Sequence, residues 1–81
     1  MKNDTKTEIE AAVFRKLLNH LDSRKDLQNI DLMNLSGFCR NCLAKWYSAE
    51  ANERGEDVSI ESAKEIVYRM TYDEWKQNYQ K

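Results

Sequence analysis

Apolar residues recur along this chain at intervals of three and four, near the helical repeat of roughly 3.6, and they nowhere alternate as a half-buried strand requires. The spacing predicts helix throughout and no strand. Residues 1–7 are polar and expected to be frayed, until Thr7 with Glu10 three positions later forms a capping-box pattern that opens a first helix running to about Leu21. Ile9, Ala12, Val13, Leu17 and Leu21 share one side of that helix, with Arg15, Lys16 and Asn19 largely off it. Asp22 to Asp26 is charged and aperiodic, hence a connection, after which Asn29 or Asp31 is suited to cap a long helix reaching about Arg54. At about 100° per residue, Leu35, Cys39, Cys42, Trp46 and Ala49 fall on one stripe flanked by Phe38 and Leu43, while Arg40, Asn41, Ala44 and Ser48 point away. Gly37 lies inside this stretch, where glycine costs about 1 kcal/mol against alanine. It reads as a point of close backbone approach, the alternative being a break with Ser36 capping a fresh start. Gly55 then ends the helix, and Ser59 caps a third one carrying Ile60, Ala63, Ile66, Val67 and Met70. Thr71 with Glu74 repeats the capping-box pattern and opens a short last helix with an aromatic stripe of Tyr72, Trp75 and Tyr79.

The expected architecture is therefore all-α: one domain over residues 1–81, with four or five helices around a long central helix. A chain of 81 residues encloses at most one hydrophobic core, and its 41% apolar share gives a thin one. Domains of this size commonly lean on a metal, disulfides or a partner subunit, so oligomerisation is expected. Thirteen basic against fourteen acidic side chains leave a formal charge of −1, which offers no general field for nucleic acid or anionic lipid. No apolar run approaches the roughly 20 residues of a bilayer crossing, and the polar opening residues do not resemble a secretory leader. Two cysteines three apart cannot staple distant parts of the chain, so a reducing cytoplasm is the expected compartment.

Candidate chemistry is sparse. Cys39 and Cys42 form a Cys-x-x-Cys pair that suits a shared metal, a redox disulfide or ordinary packing. Structural zinc wants four ligands, and one chain offers two thiols and the lone His20; two chains across a two-fold axis would bring four sulfurs. No cofactor is expected, zinc being the one exception the pair allows. Redox activity needs a partly exposed sulfur near a helix N-terminus or a cation, which a restart at Ser36 would supply and a continuous helix would not. Packing is the leading reading, since free cysteine is among the most buried residue types and Trp46 lies on the same stripe. On that stripe Trp46→Ala would cost about 3–5 kcal/mol. His20 sits at the edge of the first helix's apolar side with no nucleophile and base legible around it. Glu50, Glu53, Glu56 and Asp57 read as a solvated face, and Asn29, Asp31 and Asn34 as caps, the alternative for these three being hydrogen bonds across an interface. Tyr68 projects opposite to its helix's stripe, so a neighbouring helix or a second chain must cover it. With Tyr47, Tyr72, Trp75 and Tyr79 it forms a candidate interface, the alternative being that these rings complete the core of the monomer.

The segment from Gln28 to Tyr47, centred on Leu35-Ser36-Gly37-Phe38-Cys39-Arg40-Asn41-Cys42-Leu43-Ala44-Lys45-Trp46-Tyr47, resembles a family of short bacterial proteins known as domain of unknown function 1244 (DUF1244). Ala63 to Tyr68 and Tyr72 to Lys76 are similar to it as well, and the resemblance extends over nearly everything after residue 8. It departs at Arg69 and Thr71, where the family usually carries glycine and proline around the methionine. The resemblance implies an all-helical fold, a tight homodimer and no assigned activity. The leading expectation is a non-enzymatic binding or regulatory module acting as a homodimer, with or without a further protein partner. The alternative is a thiol site on Cys39 and Cys42 that binds a metal or cycles between dithiol and disulfide.

Overall fold

Five α-helices and no strand make up the chain in the computed structural model, which describes all 81 residues: α1 (Asn3–Ser23), α2 (Asn29–Ser36), α3 (Arg40–Glu53), α4 (Ile60–Tyr68) and α5 (Tyr72–Tyr79). The all-α class and the number of helices are as the periodicity indicates. The longest helix is the N-terminal one, however, and not a central spine. α1 begins ahead of the Thr7–Glu10 pattern and takes in most of the residues expected to fray. Thr7 does not cap; its Oγ1 donates to the Asn3 carbonyl at 3.0 Å from within the helix. Asp4 in the first turn complements the positive end of the helix dipole and supports the earlier start.

The expected continuous helix from Asn29 to Arg54 is broken at Gly37. This residue takes the left-handed conformation (φ 80°, ψ 7°) and its N–H donates to the Met33 carbonyl at 2.9 Å, the usual way a helix ends on glycine. Apart from its immediate chain neighbours, nothing lies within 4 Å of where its Cβ would be, so the glycine answers a backbone requirement and not a close approach. The restart also differs from the expected one: Ser36 Oγ donates backward to the Leu32 carbonyl (2.8 Å), and extended Cys39 (φ −143°, ψ −177°) is the N-cap of α3. Gly37→Ala is expected to cost about 1–2 kcal/mol, the strain of a Cβ in left-handed backbone, in urea unfolding followed by circular dichroism. An unchanged midpoint would show that residue 37 is not held in that conformation.

Because Gly37, Phe38 and Cys39 are not helical, the 100° steps do not carry from Leu35 into α3, and the expected stripe is overturned. Leu35 and Trp46 are 85% and 56% exposed and Ala49 is also exposed, whereas Arg40, Leu43, Ala44 and Ser48 form the buried face. Three of those four belong to the set expected to point away. The core joins Leu18 and Leu21 of α1, Leu32 of α2, Cys39, Leu43 and Ala44 at and within α3, and Ala63 and Val67 of α4. α3 and α4 are the most extensively packed pair, and Ala44 and Ala63, both fully buried, leave their backbones room to approach. Ser48 Oγ and Asn52 Nδ2 both donate to the Val58 carbonyl (2.7 and 2.9 Å), tying down the intervening turn where Gly55 has φ 84°.

Ser59 caps α4 by accepting from the Ser62 N–H, and Thr71 with Glu74 closes a capping box at α5, both as the sequence signals indicate. Asp31 is the second partner of a cap, its carboxylate accepting from the Gln28 N–H at 3.3 Å; Gln28, not Asn29 or Asp31, is the N-cap of α2. At the end of α4 Arg69 adopts left-handed backbone (φ 61°), and its guanidinium reaches Asn19 and, at 3.7 Å, Asp22 of α1. Those contacts hold a residue where glycine would be the easier choice.

The chain is elongated, 43 × 26 × 21 Å, with a Cα radius of gyration of 13.7 Å against the roughly 12 Å of a compact domain of this length. Of α1's residues only Leu18 and Leu21 are fully buried, so its N-terminal half carries Ile9 and Val13 into solvent. No helix is long and apolar enough to cross a membrane.

Candidate functional site

The α2–α3 junction gathers the chain's unusual chemistry. Cys39 as N-cap is 7% exposed, Cys42 one turn on is half-buried, and their free sulfurs stand 3.9 Å apart. A disulfide requires about 2.05 Å, so the two are adjacent but not bonded. No group of three or more His, Cys, Asp or Glu side chains in the chain could hold a metal ion, so this chain alone brings no third ligand of those kinds to the thiols. His20 lies exposed in the last turn of α1.

Between the cysteines, Arg40 is only 2% exposed and touches no carboxylate. Its Nη1 donates to the Leu27 carbonyl (2.7 Å) and Asn29 Oδ1 (3.1 Å), and its Nη2 to the carbonyls of Arg24 (2.9 Å) and Leu21 (3.4 Å). The guanidinium carbon lies 5.1 Å from the centre of the Trp75 ring. Two of these acceptors, the Leu21 and Arg24 carbonyls, lie at the C-terminal, negative end of α1, where each also accepts a backbone N–H (from Arg24 and Leu27, 3.1 Å each), so a helix terminus takes the place of a counter-ion. Burial pulls the Arg40 pKa below the ordinary arginine value, opposed by the surrounding polar groups.

From Arg40 the hydrogen bonds continue outward. Asn29 Nδ2 donates to Tyr68 Oη (2.9 Å), which donates to Asn41 Oδ1 (2.6 Å), and Asn41 Nδ2 stands 3.4 Å from Tyr72 Oη. Burial pushes the Tyr68 hydroxyl well above the usual tyrosine value, so the phenol stays protonated. Asn29 is thus a bridge between helices and not the cap its position suggested. The rings of Tyr72, Tyr68, Trp75 and Tyr79 form a continuous row of tilted pairs, with successive centroids 5.4, 5.2 and 6.4 Å apart. Tyr68 and Trp75 are 3% and 2% exposed and therefore complete the chain's own core, a correction to their expected place at an interface. Neighbouring helices, not a second chain, cover Tyr68. Tyr72 and Tyr79 are half-buried.

Tyr47 stays on the outside. Its ring stacks on Phe14 of α1 with centroids 6.5 Å apart, and Trp46 leans on Phe38 at 6.2 Å. Phe14, Leu43, Trp46, Tyr47 and Ala51, with the Glu50–Arg54 ion pair (2.8 Å), line an open apolar groove of about 450 Å³. Of the remaining polar candidates, Asn34, Glu53, Glu56 and Asp57 are exposed.

Sequence reasoning missed Arg40, which charge alone assigns to solvent, and Phe14, which its spacing left unplaced. The signal for Arg40 lies in a restart after Gly37: counting from there, Arg40, Leu43, Ala44 and Ser48 recur at helical intervals with small residues where α4 comes close.

One protein family, described as protein of unknown function (DUF1244), matches residues 27–81, which takes in α2 to α5 and leaves α1 outside. A search of the curated proteins finds no match. The match spans more than half of the chain and includes the dithiol, Arg40 and the aromatic row, and on that extent the chain belongs to the DUF1244 family.

Proposed function

We propose that the protein is a non-enzymatic helical module that works as a homodimer, the N-terminal half of α1 and the Phe14–Trp46–Tyr47 groove being covered by a second copy. One observation carries this reading: ten large hydrophobic residues are exposed, as many as the ten apolar residues that form the core. Within that set Ile9 and Val13 continue the α1 stripe past its last buried contact, and Trp46 and Tyr47 line the groove beside Phe14. A helical stretch without packing on one side is marginal in water, so α1's projecting half calls for a partner surface. A second copy offers the same stripe in self-complementary form, and at a net charge of −1 two copies repel each other little. Aromatic rings are also enriched at interface centres, with charged side chains at the rim. Residues for nucleophilic or acid–base chemistry do not converge in the groove, whose charged members are the mutually paired Glu50 and Arg54.

The reading predicts that Trp46→Glu shifts the protein toward the single chain in sedimentation equilibrium while leaving its helical circular dichroism intact. Lys45→Glu, exposed but outside the groove, serves as control and should sediment as the wild type does. Identical masses for both variants and the wild type would remove the groove from the interface.

A further inference from the structure

Independently of the dimer, we propose that Cys39 and Cys42 form a reversible dithiol–disulfide couple that exchanges with small disulfides of the glutathione type, Cys42 reacting first. Three observations support it. The first is backbone geometry: in a regular helix residues three apart hold their Cβ atoms about 5–6 Å apart, beyond the roughly 3.5–4.5 Å of a disulfide. Cys39 is an extended N-cap and has left the helical spiral, and its sulfur already lies 3.9 Å from that of Cys42. Bond formation then asks for side-chain rotation and not for unwinding of α3. The second is a difference in access. Cys42 is half-buried and the more accessible of the two to an incoming small disulfide, while Cys39 is 7% exposed and sits within the core cluster. The third is that each thiol's one hydrogen-bonding contact is with the other, so neither sulfur is engaged elsewhere.

In the forward direction Cys42 gives its proton to solvent, and its sulfur attacks one sulfur of the disulfide RSSR. The S–S bond breaks, RS⁻ leaves and takes up a proton, and a Cys42–S–SR mixed disulfide remains. Cys39, deprotonated in turn, attacks the Cys42 sulfur and expels the second RS⁻. The protein dithiol thus loses two electrons and two protons, RSSR becomes two RSH, and excess RSH reverses both steps.

The test incubates the reduced, folded full chain in buffers of varied reduced and oxidised glutathione, quenches with acid, and reads intact mass and free thiols. The wild type should lose both thiols together with a mass lower by two hydrogen atoms, and regain them in excess reduced glutathione. Cys39→Ser should stop with one glutathione bound at Cys42, and Cys42→Ser should stay unmodified while folded. Wild-type protein that keeps both thiols until it is unfolded overturns the proposal. So does a persistent glutathione adduct beside a free Cys39, or a disulfide between chains. The wild-type arm decides the matter even where a serine variant fails to fold, and it leaves the dimer to the sedimentation test.

Discussion

Arg40→Ala is expected to lower the free energy of unfolding by about 3–5 kcal/mol, a large part of the roughly 4–12 kcal/mol available to a domain of this length. The guanidinium satisfies carbonyls from the end of α1, the turn behind it and the side chain that opens α2, and it lies against Trp75 of α5. Removing it leaves the Leu27 carbonyl without a donor, at about 1–3 kcal/mol, takes one of two donors from the Leu21, Arg24 and Asn29 acceptors, and opens space beside Trp75 at the place where four helices meet. Arg40→Lys keeps the charge but not the planar fork that serves several acceptors at once, and should cost about 2 kcal/mol. Urea unfolding by far-ultraviolet circular dichroism measures both. A loss below about 1 kcal/mol for alanine would mean that water, and not Arg40, satisfies those carbonyls.

The two tryptophans should behave in opposite ways. Trp75 is 2% exposed between Tyr68, Tyr79 and the Arg40 guanidinium, so Trp75→Ala is expected to cost about 3–5 kcal/mol. Trp46, 56% exposed, should cost under about 1 kcal/mol as alanine when the protein is dilute enough to be a single chain. The contrast reverses what a continuous central helix implies, where Trp46 would be the anchor. Equal losses, or the larger loss at Trp46, would show that the phase of α3 is wrong.

That phase is also the divide between what was legible in the sequence and what was not. Helical class, the turn at Gly55, the Ser59 cap and the Thr71–Glu74 box are local signals, each satisfied by residues within a few positions, and the structure contains all of them. The position of Tyr68 opposite its helix's stripe calls for cover, although only the tertiary structure shows that α2, α3 and α5 provide it. Gly37 was the ambiguous letter. A glycine within a helix and a glycine that ends one differ by about 1 kcal/mol, too little to decide locally, yet the choice rotates every later residue of α3. From that choice follow the exposure of Trp46, the burial of Arg40 and the position of Cys39 as an N-cap. Burial of an arginine is unreadable from charge counts because its compensation comes from backbone carbonyls, which every residue possesses. The Thr7–Glu10 pattern misled for the converse reason: a valid start signal lies inside a helix that residues upstream can already begin.

The claim that a second copy covers the outward face of α1 and α3 is tested most directly by sedimentation velocity of the wild-type protein over a dilution series. At micromolar concentration the predicted species has twice the 9.6 kDa of one chain and separates into single chains on dilution. A folded 9.6 kDa species at every concentration would contradict it.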